Sequence, residues 1–409
     1  MGDQILAQPL TLPCGVVLKN RLAKSAMSDS LGDGAGNPTS HQARMYERWA
    51  EGGLALSIIG EVQTDPRALE KPGNLVLATD SDKTGFAALM KGAVRDGAHL
   101  WAQLGHAGAL SYAPVGRPVG PSALDVPGLR CGALEEDEIA QFPALIAQGA
   151  GRAQNLGFTG VQIHAAHGFL LSQFLSPLFN KRTDRWGGAL ENRARLLLET
   201  IEAVRARVGP RFPIAVKLNA SDMLDGGLSE EDSLQIVAML NALSVDLIEI
   251  SAGTYFPGAK AASDGRADGP YFIDFARKAR EKTDIPLMAA GGFKRREQAL
   301  AALSEKTLDM VALARPVVLE PNLPSIWMSD TPRDPVFPRF ASTQPGGVTA
   351  WYTLRITAMS EDREENFAMD ADTALEVYDK RDAEREALWA ARFGKADASS
   401  DAASDQATS

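Results

Sequence analysis

The stretch PLMAAGGFKRREQALAALSEKTLDMVALAR, Pro286 to Arg315, holds a complete strand–helix–strand unit. PLMAAGG (286–292) is a short apolar run ending on two glycines, a helical pattern follows at 294–303, and DMVALAR (309–315) is a second apolar run. Such runs, bounded by turn residues and separated by a helical period, predict parallel strands joined by a crossover helix. Parallel neighbours cannot be joined by a tight turn.

The same unit recurs outward from this stretch. Strands are expected at NRLAKSAM (20–27), LALSIIGEV (54–62), HLWAQLGH (99–106), FTGVQIHA (158–165), PIAVKLNA (213–220) and LIEISAG (247–253). Helices are expected near 39–51, 80–96, 135–156, 189–208, 229–243 and 270–283, with a short one after Glu320. The second opens on DSD, a good N-cap sequence, and the third ends at Gly157. No hairpin signal joins the strands. Eight strand-then-helix units predict an α/β fold, a single (β/α)8 TIM barrel. The rival is an open doubly wound sheet. Its dinucleotide-binding version needs G-x-G-x-x-G after the first strand, and that motif is absent.

The barrel is expected over 1–330, with a Pro/Gly-rich loop insertion after strand three (107–134). Residues 331–395 read as a partly helical C-terminal extension, charged around 370–392, packing on the barrel or on a neighbouring subunit. The tail ADASSDAASDQATS (396–409) is poor in hydrophobes and is expected to be disordered.

Composition narrows the function. The chain has 409 residues, 45% of them hydrophobic, enough for a large core, and its net charge of -10 argues against a nucleic-acid partner, which needs a basic face. Cys14 and Cys131 read as inert thiols in a reducing compartment. No apolar run reaches the ~18 residues that cross a bilayer, and MGDQILAQPL lacks the features of a signal peptide. A cytoplasmic location, with no membrane partner, is expected.

In a TIM barrel the chemistry sits at the C-terminal ends of the strands. The polar residues there are Ser25, Ser28, Glu61, Gln103, His106, His164, His167, Lys217, Asn219, Glu249, Ser251 and Arg315, joined by Gly60, Gly291, Gly292 and Ala314. Gly291–Gly292 allows close approach of an anion to backbone amides, with Ala314 and Arg315 beside it, a phosphate site after strands seven and eight. The pair His164 and His167 has three readings: metal ligands with His106 in a zinc hydrolase, structural histidines, or two donors converging on one oxygen. Spacing does not choose among them.

The segment HAAHGFLLSQFLSPLFNKRTDRWGGALENR (164–193) strongly resembles the Old Yellow Enzyme family of FMN-dependent oxidoreductases. LKNRLAKSAMS (18–28), the EGG at 51–53, QLGHAG (103–108), AAGGF (289–293) and LARPVVLEPNLP (313–324) agree with it, and the resemblance spans about 5–330. It implies an ene-reductase type of enzyme that takes hydride from NADH or NADPH onto FMN. The hydride then goes to the electron-poor C=C bond of a small α,β-unsaturated carbonyl compound, in ping-pong fashion. It implies that Ser25, Ala26, Met27 and Ser28 line the flavin, Gly60 lies against it and Gln103 bonds its pyrimidine edge. Lys217, where an Arg is usual, would stand at the N1–C2 end, and Gly291, Gly292, Ala314 and Arg315 would hold the phosphate. His164 and His167 would grip the substrate oxygen, and no metal is implied.

One position departs from the family pattern. Phe169 stands where a Tyr usually protonates the substrate, so water, Tyr112 or Tyr255 would have to serve, or the reaction differs and is oxidative or needs no acid. Phe169 and Tyr255 are expected to line the substrate site. A flavin-binding protein without turnover is a further alternative, and a homo-oligomer is possible.

Overall fold

The computed structural model describes residues 2–257, 259, 269–340 and 344–394. The expected tail at 396–409 lies outside the described residues. Eight parallel strands close on themselves: β1 Leu22–Lys24, β2 Leu56–Gln63, β3 His99–Gly105, β4 Gly160–Ala165, β5 Ile214–Asn219, β6 Leu247–Ser251, β7 Leu287–Ala290 and β8 Met310–Leu313. Each pairs in parallel with the next, and β8 pairs with β1, so the barrel leaves no open edge. Between them run α1 Ser40–Glu51, α2 Lys83–Ala93, α3 Glu136–Asn155, α4 Leu190–Val208, α5 Glu230–Leu240, α6 Ile273–Arg280 and α7 Arg296–Ser304. Thr39 caps α1 and Asp82, from the DSD, caps α2, each accepting a first-turn amide.

Period-two alternation decides what each strand shows to the interior. On β4 Val161, Ile163 and Ala165 join the outer core beneath the helices, as do Ile214, Val216 and Leu218 on β5 and Ile248 and Ile250 on β6. The opposite faces enter the barrel. At the N-terminal end this interior is apolar: Ala23, Ile58, Trp101, Ala215, Leu247, Met288 and Met310 pack with Leu10, Leu12 and Leu18. Those leucines belong to an antiparallel pair, Leu10–Thr11 with Val17–Leu18, that plugs the bottom.

Some local structure escaped the sequence reading. The 107–134 segment carries a small sheet of three short strands, Val119–Gly120, Leu124–Val126 and Leu129–Ala133, the last two antiparallel. A short helix, Leu170–Leu175, follows the histidine pair directly. Beyond β8, α8 Gly347–Ser360 packs on α1, and α9 Ala371–Phe393 packs on α8. α9 also reaches the loops at the mouth: Arg385 donates to Ser30 O at 2.8 Å and Trp389, fully buried, donates to Pro66 O at 3.2 Å. Among the described residues no helix is long and apolar enough to cross a membrane.

Candidate active site

Above the apolar floor the interior-facing positions turn polar, in two layers set by strand register. Gln162 lies beside Gln103 and His164 beside Lys217, while Lys217 lies beside Glu249 and Asn219 beside Ser251. The lower layer is one connected network. Gln103 Nε2 donates to Gln162 Oε1 at 2.7 Å, and Gln162 Nε2 donates to Glu249 Oε2 at 2.7 Å. The other oxygen of Glu249 accepts from Ser25 Oγ at 2.5 Å and pairs with Lys217 Nζ at 3.1 Å, and Lys217 also donates to Ser25 Oγ at 3.0 Å. All five residues are buried. An uncompensated charge here would be costly, and the Lys217–Glu249 pair compensates both.

The upper layer holds the imidazoles. His164 Nε2 and His167 Nδ1 face each other at 3.2 Å, and His167 Nε2 lies 2.7 Å from Ser251 Oγ. On its far side His164 Nδ1 is in close contact with Glu61 Oε1, both side chains nearly fully buried. The second oxygen of Glu61 is buried without a hydrogen-bond partner. Burial, and then the charge of Lys217 and the neighbouring His164, hold the His167 imidazolium well below its ordinary pKa, so this ring is neutral. Its backbone is unusual as well. His167 has φ 62° and its N–H is held by Asn219 Oδ1 at 3.1 Å. Gly168 follows at φ 79°, where a Cβ would sit 2.0 Å from Thr254 Oγ1, so only glycine fits the turn that aims His167.

His106 is not part of this pair. Its Nδ1 accepts the Gly108 amide at 3.0 Å, its ring packs on Phe142, and burial depresses its pKa to about 4. Among the described residues no three His, Cys, Asp or Glu side chains are placed to hold a metal ion together.

Phe169 is buried, its ring 4.9 Å from His164 and 5.8 Å from Tyr255. Tyr255 covers His167 at 5.5 Å. Desolvation in the mouth, and then the carboxylates Glu70 and Glu61, push its phenol up to about 12; with 63% of the residue exposed, the desolvation share is screened by solvent. Tyr112 is engaged elsewhere: its hydroxyl donates to Glu386 on α9 at 2.5 Å.

Ser25, Ala26, Met27 and Ser28 follow β1, and Ser28 bridges to Gly60 on β2. A Cβ on Gly60 would lie 2.7 Å from Gln103 Oε1 and 3.0 Å from Ala26 Cβ, so bare backbone is needed there. Gly291 and Gly292 follow β7 with φ 105° and 82°; a Cβ on Gly292 would stand 1.8 Å from Gly269 O. Ala314 and Arg315 follow β8 alongside, with the Arg315 guanidinium over the Tyr352 ring at 5.2 Å. The amides and the Lys217 ammonium at the barrel's centre, bare backbone at Gly60 and the Gly291–Gly292 pair with Arg315 after the next strand form a set of polar groups that fits FMN.

Sequence reading placed Glu61 and Glu249 at strand ends but gave them no role, and it passed over Gln162. Parity was the available signal: Gln162 and His164 are two apart on one strand and must share a face.

Comparisons with known proteins agree with the barrel fold. Residues 6–332 match the NADH:flavin oxidoreductase / NADH oxidase family, and the chain belongs to that family. It is 32% identical over 361 residues to the NADH-dependent flavin oxidoreductase iliE of Hypocrea jecorina, covering 80% of this chain and 90% of that one. It is 32% identical over 317 residues to an NADPH dehydrogenase of Halalkalibacterium halodurans, covering 76% and 90%. Among solved structures it is similar to the old yellow enzyme homologue from Zymomonas mobilis, with a TM-score of 0.70, 26% identity and coverage of 80% and 93%. Some other matched chains are longer, and this chain spans about half of them, 52% and 47% in two cases. The protein is thus an FMN-dependent NAD(P)H oxidoreductase of the Old Yellow Enzyme type.

Proposed function

We propose that the enzyme passes the hydride it takes from NADH or NADPH to the β-carbon of an α,β-unsaturated carbonyl compound, whose oxygen is held by His164 and His167. The observation that carries this reading is the pair of imidazole nitrogens 3.2 Å apart at the barrel mouth, each backed by a polar partner. With Ser251 donating to Nε2, His167 carries its proton on Nδ1. Glu61 beside Nδ1 of His164 fixes the orientation of that ring, so that His164 Nε2 and His167 Nδ1 both face the place of one substrate oxygen. Two donors fixed where negative charge develops stabilise an enolate more than they stabilise the ketone, and that difference lowers the barrier.

In this reading Ser25, Ala26, Met27, Ser28 and Gly60 line the flavin, and Gln103 meets its pyrimidine edge. Lys217 lies near the N1–C2 end, and Gly291, Gly292, Ala314 and Arg315 hold the phosphate. Lys217 keeps the sign of a usual arginine, but its charge is shared with Glu249. Bound FMN supplies the hydride chemistry; the chain orients the substrate, polarises its carbonyl and keeps the site dry. Phe169 and Tyr255 form the apolar wall beside the substrate.

The reductant and the substrate would use the same face of the site in turn. Steady-state rates with NADH or NADPH and 2-cyclohexenone are therefore expected to give parallel double-reciprocal lines, and the enone is expected to reoxidise anaerobically reduced flavin. Intersecting lines exclude the ping-pong order, and reduced flavin that survives the enone excludes the substrate class. The second reading, motivated by Phe169, is a flavoenzyme of the same fold whose acceptor needs no acid, such as a quinone or a nitro compound. Fast reoxidation by a quinone together with none by the enone selects it.

A further inference from the structure

Enone reduction needs a proton at the α-carbon, and Phe169 has none to give. Among the described residues, Ser28, Tyr255 and Glu70 are candidates near the mouth that carry an exchangeable proton. Ser28 is too weak an acid, and the Tyr255 phenol is weakened further by the two carboxylates behind it.

Glu70 is different. It lies in the loop after β2, where its amide and that of Lys71 are held by Asn74 Oδ1 at 3.2 and 2.9 Å. Asn74 also reaches Ser28 Oγ at 3.4 Å, and Ser28 lies within hydrogen-bonding range of the Glu70 carboxyl. The carboxyl thus lies beside Ser28, whose backbone bridges to Gly60. One of its oxygens, Oε2, is buried with no hydrogen-bond partner. The groups facing it are Glu61 from β2, Tyr255 from the loop after β6, Tyr378 and Asp382 from α9, and Lys71 beside it. The only cation among these, Lys71, lies 3.4 Å from Asp382, so its charge is shared.

We propose that Glu70 is the proton source that replaces the missing tyrosine. This rests on the enone reading above. The β-carbon receives hydride from the flavin, and the C=C electron pair moves onto the α-carbon and carbonyl oxygen as an enolate held by His164 and His167. The α-carbon then takes the proton of Glu70, giving the saturated carbonyl compound. The carboxylate left behind is reprotonated from water, and NADH or NADPH restores the hydride.

The electrostatics suit this role. Burial first, and then the Glu61 charge, raise the Glu70 pKa to about 7, with Lys71 and Ser28 opposing. A carboxyl so placed is protonated on the acid side of neutrality and ionises above it. Glu61 has a partner of its own in His164, so the two neighbouring carboxyls have different surroundings.

The test separates the two half-reactions by stopped flow. In the wild type, reoxidation of reduced flavin by 2-cyclohexenone is expected to be fastest below about pH 7 and to fall about tenfold per unit above it. Glu70→Gln is expected to slow that step about 100-fold or more and to remove its pH limb. Flavin reduction by NADH or NADPH, which delivers no proton to carbon, should change far less. Phe169→Tyr in the Glu70→Gln background is expected to restore much of the rate, because it returns a phenol to the usual place. A wild-type rate flat between about pH 5.5 and 8.5 overturns the proposal without any variant. So does a Glu70→Gln enzyme within about threefold of wild type, or one that keeps the limb. If the reduced wild type is not reoxidised by the enone at all, the underlying reading fails, and Glu70 as proton source fails with it.

Discussion

Replacing His164 and His167 together by alanine is expected to abolish the long-wavelength absorption that a phenolate gives when stacked on oxidised flavin, and to weaken phenol binding by about 100-fold or more. In the proposed site the two rings hold one oxygen between them, so their joint loss would remove the clamp rather than weaken it. The single variants should differ. His167→Ala frees only Ser251, because the bond to Asn219 is made by the backbone N–H of residue 167 and is kept. His164→Ala leaves Glu61 buried beside an empty space, so it should cost more stability as well as binding. Optical titration of holoenzyme with a para-substituted phenol reads the first effect, and urea unfolding reads the second. An unchanged band in the double variant refutes the donor-pair role.

The second large effect lies one layer below. Lys217→Met is expected to destabilise the protein by about 3–5 kcal/mol, because Glu249 would lose its direct ion-pair partner while buried in the barrel. The same change should lower flavin content, since the Ser25–Glu249–Gln162–Gln103 chain loses its anchor. Replacing both partners, Lys217→Met with Glu249→Leu, should recover much of the stability but not the flavin. Unfolding midpoints and the flavin absorbance per protein separate these outcomes. If the double variant is no more stable than the single one, the pair is not the cause.

How much of this was legible in the sequence varies with the range of the forces involved. The eight barrel strands were legible because β4, β5 and β6 alternate between helix-facing aliphatics and interior groups, and because caps such as Thr39 and Asp82 mark helix starts locally. α9 was legible as a charge-rich helical stretch. α8 was not: its apolar and polar residues are mixed around the axis and mostly buried, so no face stands out. The strands in 107–134 are two to five residues long, too short for a period.

The site divides in the same way. His164, His167, Lys217 and Gln103 stood at strand ends in a recognisable string. Their partnerships did not, because Glu61 meets His164, and Glu249 meets Lys217, only through inter-strand register. Glu70 sits in an aperiodic loop, and nothing in its neighbours' identity says that it returns to Ser28. Tyr112 shows the converse: a residue free by sequence is committed to Glu386 once the chain is folded.

α9 has a last consequence. The family match ends at residue 332, yet α9 clasps the loops after β1 and β2 through Arg385, Trp389 and the Asp382–Lys71 pair. The loops after β1 and β2 are therefore held in part by a stretch of chain beyond the family match. Substitutions along α9 are expected to act on those mouth loops and, through Tyr378 and Asp382, on the surroundings of Glu70.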